Sequence, residues 1–419
     1  MKKTVLTILA LICIIGANSQ SLVNLYKQGN VSLIEDPDFG TQNNWSKIFY
    51  DYTADKNQGK DGKNKSIVVA SDGRIFMSHR SRHSISIFDK NGNYIKEFGK
   101  KGSRESDFIY MPVVVGILDQ KYLATAAVDG RILFFDLNGQ WIKTFSLDYM
   151  PLDYTTLGQN KLAILGHTSW KTKIRTFIAI KDYDSGKETV IWENFREIEN
   201  KKTINVTHSA GGVTTMSLPF THPSYTNPKL ICTPNGDLAL IFPEKGEIKV
   251  FSPSGKLLKS YSVEVGEPLK LTEKERTGYY NKFMEYIKTL EKESETANDS
   301  RRKQLEETIS QLKQQAHKYL DPAFYPEKLP EISQALFDTD GNLLVFVFTK
   351  EKGDNKFIAY TFDNSGSKIC QSSFESTEYD LNFSKSKFVF HNGKIIGLQT
   401  LKKENTDVPV RLVRFNLSN

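Results

Sequence analysis

Five of the seven histidines fall in three short polar stretches. His79 and His83 belong to "SHRSRHS", His167 to "GHTSWKTK", and His208 and His222 to the segment 195–228. Neutral imidazole is a common zinc ligand, with metal–nitrogen bonds of ~2 Å. A set such as His79, His167, His208 and His222 would therefore hold a divalent transition metal if the fold brought it to one point. No H-E-x-x-H or C-x-x-C spacing supports that set, and loops carry polar residues by default, so the same histidines also read as surface residues sharing no ligand. Around them lie Arg80, Arg82, Arg104, Trp170 and Lys171, with Lys101, Lys173, Arg175 and Tyr154 nearby. Cations beside rings suit an anionic or sugar-like ligand through charge-assisted hydrogen bonds and stacking. "AGGVTT" at 210 lacks a lysine and a strand-to-helix setting, which argues against a phosphate cradle. No G-x-S-x-G elbow is present.

A repeat positions these residues. A turn followed by apolar residues occurs six times: "SDGRIFM" at 71, "LDQKYLA" at 118, "LGQNKLAI" at 157, "PNGDLAL" at 234, "TDGNLLV" at 339 and "HNGKIIG" at 391. Asp-Gly and Asn-Gly between apolar runs signal hairpins, because glycine takes positive φ at little cost. A second turn follows in five copies, as in "FDKNGNYIKEF" at 88, "FDLNGQWIKTF" at 135, "FSPSGKLLKSY" at 251 and "FDNSGSKICQS" at 362; the third copy has "YDSGKETVIW" at 183. Each copy is then two hairpins in series, a four-stranded antiparallel sheet. In the first copy the strands are expected over Ser66–Ala70, Arg74–Ser78, Ser84–Phe88 and Tyr94–Phe98. The alternation in "SISIF" and "YIKEF" predicts half-buried strands. Such sheets bury their faces by packing around an axis. The expected fold is therefore an all-β, six-bladed beta-propeller of four-stranded antiparallel blades over 66–419.

The sixth copy lacks a fourth strand, since the chain ends after "RLVRFNL". "VSLIE" at 31 or "WSKIFYDY" at 45, in the N-terminal segment 20–65, is expected to supply it and close the ring, which removes an exposed sheet edge. Two insertions interrupt the rhythm. Residues 195–228 should add only a hairpin. Residues 265–331, between the fourth and fifth blades, repeat Tyr280, Phe283, Ile287 and Leu290, then Leu305, Ile309, Leu312, Ala316 and Tyr319, at helical spacing, which predicts a helical hairpin. Asn298, Asp299 and Ser300 between them suit a helix cap. Connections after second and fourth strands share one face of a propeller, so both insertions and all five histidines are expected there. His317 lies in the helical insertion and His391 in a turn on the opposite face.

Residues 68–108, with D-G-x-I, "SISIFD", "NGxxIKxFGxxG" and Phe108, resemble an NHL repeat. The second and fourth copies match fairly and the others in their turns. The whole chain is similar to secreted bacterial six-bladed propellers related to that family. The resemblance implies the fold; the family spans binding scaffolds and a few enzymes, so function does not follow from it. Peptide amidating lyases of similar fold hold a metal through three histidines.

"MKKTVLTILALICIIGANSQ" reads as a signal peptide over 1–19, its apolar run shorter than the ~20 residues of a membrane span. The formal charge is +7, about +5 without the leader lysines, with both signs interspersed, which disfavours nucleic acid. Cys232 and Cys370 fall in different repeats and are expected to be free, buried thiols. The function that follows is a non-catalytic periplasmic or extracellular scaffold, without cofactor or membrane span and monomeric. It would bind a peptide, glycan or protein through His79, Arg80, Arg82, His83, Arg104, His167, Trp170 and Lys171, with residues 265–331 as a possible partner arm. The alternative is a metal-dependent lyase or hydrolase with histidine ligands, Arg80 or Arg82 stabilising developing negative charge. A quinone-dependent dehydrogenase is a more distant reading.

Overall fold

The computed structural model describes residues 21–49, 66–79, 81–127, 129–170, 173–197, 203–207, 213–217, 227–243, 245–263, 270–325, 332–347, 357–381, 383, 387–402 and 410–419. The expected leader lies outside them, and no described helix is long and apolar enough to cross a membrane. A short helix α1 (Leu22–Tyr26), strand β1 (Asn30–Glu35) and helix α2 (Trp45–Ile48) precede the repeats. The first sheet is β2 (Ile67–Val69), β3 (Ile75–His79), β4 (Ser84–Phe88) and β5 (Tyr94–Phe98). The second is β6 (Val113–Leu118), β7 (Tyr122–Ala126), β8 (Arg131–Asp136) and β9 (Trp141–Ser146). The third has longer strands, β10 (Met150–Leu157), β11 (Lys161–Trp170), β12 (Lys173–Asp182) and β13 (Glu188–Glu197). A separate hairpin of β14 (Thr203–Thr207) and β15 (Val213–Ser217) precedes the fourth sheet, β16 (Lys229–Cys232), β17 (Leu238–Phe242), β18 (Glu247–Phe251) and β19 (Leu257–Ser262). Each of the four is an antiparallel meander in chain order, and together they make the fold an all-β propeller.

The remaining strands form one mixed nine-stranded sheet. It starts with an antiparallel run, β20 (Ile332–Phe337), β21 (Leu343–Val347), β22 (Phe357–Phe362) and β23 (Lys368–Glu375), and ends with β24 (Tyr379–Asp380), β25 (Phe388–His391), β26 (Lys394–Leu401) and β27 (Val410–Ser418). Between the halves sits β1. It pairs antiparallel with β27, Leu33 opposite Leu417, and parallel with β23, Val31 opposite Phe374. Of the two N-terminal candidates it is "VSLIE" that joins "RLVRFNL". The stretch containing Trp45 turns into α2 and packs Ile48 and Phe49 against the first sheet and β26.

The recurring "D-x-N-G-x" phrase has a twofold use. Asp89 Oδ1 accepts from the amides of Asn91 and Asn93 at 2.8 Å each, Asp136 does the same for Asn138 and Gln140 at 2.8 Å, and Asp363 takes Ser365 at 2.8 Å and Ser367 at 2.9 Å. The side chain thus closes the turn that the positive-φ glycine opens. The same glycine is also a socket for the preceding sheet. A Cβ on Gly139 would lie 2.5 Å from the Phe98 ring, one on Gly255 2.7 Å from Ile191, and one on Gly366 2.6 Å from Tyr261. Phe98, Ile191 and Tyr261 belong to β5, β13 and β19, the last strands of the preceding sheets. Phe39, just beyond β1, occupies the Gly92 socket of the first sheet in the same way, at 2.5 Å. The segment after β1 therefore packs on the first sheet as β5, β13 and β19 pack on the next.

That junction is also ionic. Asp36 accepts from Lys394 Nζ and Arg414 Nε, both at 2.9 Å, and Arg414 donates onward to the Lys90 carbonyl at 3.1 Å while lying over the Phe39 ring. Stacking on both sides corrects the half-buried expectation for "SISIF" and "YIKEF". All five residues of β4 are buried, whereas β5, at the outer edge, is exposed along nearly its whole length.

Two helices, α3 (Glu273–Thr296) and α4 (Asp299–Gln315), stand between β19 and β20. Thr272 and Glu275 form a capping box on α3, and Asn298 caps α4 through the Arg301 amide. Phe283, Ile287, Leu305, Ile309 and Leu312 share a core with Ile204 and Val206 of β14. The two insertions are thus one satellite module, separate from the cores between sheets.

Gly139→Ala adds both the strain of positive φ and the clash with Phe98, and is expected to cost about 2–4 kcal/mol in chemical denaturation. Gly186, also at positive φ but with open space around it, should lose only about 1–2 kcal/mol on the same change; equal losses would contradict the socket. Burial raises the Asp36 carboxyl, but the hydrogen bonds from Lys394 and Arg414 outweigh it and hold the group below its ordinary value. Its contribution is present above about pH 4 and lost as pH falls through the lowered value. Asp36→Asn should flatten the acid limb of stability against pH; an unchanged limb would show the junction does not depend on this carboxylate.

Candidate functional site: the axial cavity

The first strands of the sheets, β2, β6, β10, β16 and β20, each end their sheet's hydrogen-bonded order. Together with β25 they line one cavity of about 1130 Å³. Its wall is largely aliphatic and aromatic: Ile67 and Val69, Val113, Val115 and Ile117, Ile231, Leu336, and Phe388 and Phe390. Gly116 lets β6 and β10 approach closely, since a Cβ there would lie 2.2 Å from Thr156 Oγ1.

Polar groups concentrate on the third and fourth sheets, at the end where β10 and β16 begin: Asp153, Tyr154, His167, Thr176, Asn227 and Lys229. Asp153 ties the two strands together, accepting from the Tyr154 amide at 2.9 Å and the Leu230 amide at 3.4 Å. Burial, reinforced by the Asp153 charge, raises the Tyr154 phenol and keeps it neutral. His167 lies opposite Met150 on β11, at the base of the part of the β11–β12 hairpin that overhangs this end. Its Nδ1 is buried and has no hydrogen-bond partner among the described residues. Burial also lowers its basicity, so the ring is neutral near pH 7.

The other expected site residues separate. His79 is not on the face: it is fully buried, its Nε2 2.8 Å from Ser86 Oγ and its ring 6.3 Å from that of Phe49. The apolar packing of the first sheet against α2 draws it inward. Arg82 does not present a free charge, for its guanidinium is nearly buried and pairs at 3.0 Å with Glu97 on the outermost strand β5. His83 adopts φ +58° at the tip of the β3–β4 loop. Arg104 is exposed in the β5–β6 connection, where its carbonyl accepts from Arg131. Arg80, Lys171, His208 and His222, and the side chain of Trp170, lie outside the described residues. Among the described residues no group of three or more His, Cys, Asp or Glu is placed to hold a metal ion. Arg175 pairs with Glu193 at 2.9 Å.

Cys232 and Cys370 are free and half-buried rather than fully buried. Cys232 reaches the cavity wall, where burial pushes its thiol up to about 12, so it is no nucleophile at neutral pH. Asp153, Asn227 and Lys229 were not legible as site residues. The available signal was that the first strand of each copy faces the axis.

The sequence profile of the DUF5128 family, a 6-bladed beta-propeller, matches residues 62–227. No curated protein matches the chain. Among solved structures, a DUF4221-family protein from Bacteroides vulgatus is similar at 11% identity and a TM-score of 0.49, covering 94% of this chain and 100% of that one. An exported protein from Bacteroides fragilis follows at 11% and 0.45, covering 84% and 90%. Virginiamycin B lyase from Staphylococcus aureus gives 10% and 0.36, covering 85% and 96%. None of these scores reaches 0.5.

The environment of His167 is testable by proton NMR. Its ring protons should titrate below the ordinary histidine value of about 6.5. A titration at or above that value would place the imidazole in water and not in the cavity wall.

Proposed function

We propose that this chain is a six-bladed propeller, exported through its N-terminal leader, that acts as a non-catalytic binding protein. In this reading the nine-stranded sheet is two blades joined through β1, and the ligand enters the axial cavity from the face that carries the insertions. The observation that carries it is the cavity itself: about 1130 Å³, mostly apolar, with a few polar groups gathered at one end. That combination is the usual form of a ligand site. The relation to NHL-repeat proteins rests on the first copy's motif. The cationic surface expected from the sequence contributes less, because Arg82 and Arg175 are satisfied by Glu97 and Glu193.

The lyase or hydrolase alternative would draw its ligands from His167 and from His208 and His222. His79 is withdrawn from it by burial.

The fluorescent apolar probe 1-anilinonaphthalene-8-sulfonate should bind the folded protein at one site, and Val115→Trp, which places an indole on the cavity wall, should change the affinity of that binding while leaving the unfolding transition cooperative. Absence of any probe binding, or binding that Val115→Trp leaves unchanged, would overturn the assignment of the cavity as the site.

A further inference from the structure

The fifth copy of the repeat departs from the first at one buried position. In the turn between β20 and β21 the Asp338 amide donates to the Asn342 carbonyl at 3.0 Å, as the Ala70 amide does to Arg74 and the Thr233 amide to Asp237, both at 2.9 Å. Ala70 is 1% exposed and Asp338 3%. A carboxyl group thus stands where the first copy has a methyl group. Its oxygens accept from the Asp340 amide at 3.0 Å, from the Asn342 amide at 2.8 Å and twice from the Asn342 side chain, at 3.0 and 3.3 Å. All four hydrogen bonds come from neutral groups.

Helix α1 lies against this turn. The Leu22 amide donates to Asp340 Oδ2 at 3.1 Å, and the fully buried Tyr26 brings its phenol beside Asp338. Burial, then the Asp338 charge, raises the Tyr26 phenol and keeps it neutral, and its hydroxyl has no hydrogen-bond partner among the described residues. The other titratable groups around the pair are Asp340, exposed on the same turn, Cys370 on β23 and Lys27, exposed just after α1. Docked α1 therefore keeps a carboxylate out of water with only dipoles to hold it, a cost that disappears when the group takes up a proton. Burial raises the Asp338 carboxyl above its ordinary value against the opposing hydrogen bonds from Asn342, and the Asp340 charge adds to the rise.

We propose that the N-terminal segment is a pH-sensitive latch, in which charged Asp338 loosens α1 on the fifth copy and neutral Asp338 holds it. A carboxyl raised in the docked state contributes in full below about pH 4, and the contribution is lost as pH rises through the raised value. Asp36, at the other end of the same segment, has the opposite sign and weakens its junction only below about pH 4. The segment is therefore held most firmly in mild acid and less firmly at neutral pH. Amide hydrogen exchange, corrected for the intrinsic rate, reads the latch at Lys27, Gln28 and Gly29, whose amides donate to the carbonyls of Val23, Leu25 and Tyr26. Their protection should rise about threefold or more from pH 7 to pH 5. Asp338→Asn, which keeps an acceptor oxygen for the turn and removes the charge, should give the higher protection at both pH values, while Asp340→Asn should leave the rise in place. Protection that does not change with pH, or a rise that survives Asp338→Asn, would overturn the proposal. Loss of the rise in Asp340→Asn would overturn it as well, by assigning the switch to the exposed carboxylate. None of these outcomes depends on what the axial cavity holds.

Discussion

Three sheets of this propeller lean on the next through a contact between a side chain and a glycine. Phe98, Ile191 and Tyr261, from the last strands of their sheets, lie where a Cβ would be on Gly139, Gly255 and Gly366. Phe39 does the same on Gly92 although it comes from the opposite end of the chain's logic, the segment that precedes the first repeat. Positive φ makes the turn possible without a side chain, and the missing side chain makes room for the neighbour. One residue type thus sets both the hairpin and the stacking, and removing it would loosen two sheets at once.

The ring's integrity therefore depends on the N-terminal segment. β1 hydrogen-bonds to β27 and to β23, α1 buries Leu22, Leu25 and Tyr26 in the same core, and Asp36 pairs with Lys394 of β26 and Arg414 of β27, Arg414 reaching on to the Lys90 carbonyl of the first sheet. The axial cavity exists because the first strands converge. The satellite module of β14, α3 and α4 has its own core.

The turns were readable because their chemistry is local. Asp-Gly and Asn-Gly phrases, an aspartate, serine or threonine closing the turn and apolar runs between them determine strands within a residue or two, as for Ser84–Phe88 and Tyr94–Phe98. The site was far less readable, since it depends on which side of a stacked sheet a residue faces. His79 and His83 look equivalent in "SHRSRHS", yet one is sealed between the first sheet and α2 and the other tops a loop. Arg82 reads as a free cation until Glu97, fifteen residues further along the chain on β5, is seen to lie beside it. Asp153, Asn227 and Lys229 carry no motif at all; only convergence of the first strands on an axis brings them together with His167.

Closure by the N-terminal strand is the claim on which both cavity and binding rest, and amide hydrogen exchange tests it directly. Amides of Ser32 to Glu35 should exchange as slowly as those of their partners in 415–418, and both should open together in the global unfolding transition. Rapid exchange of residues 32–35 while 410–414 stay protected would show a ring that is open at this junction and would contradict closure by β1.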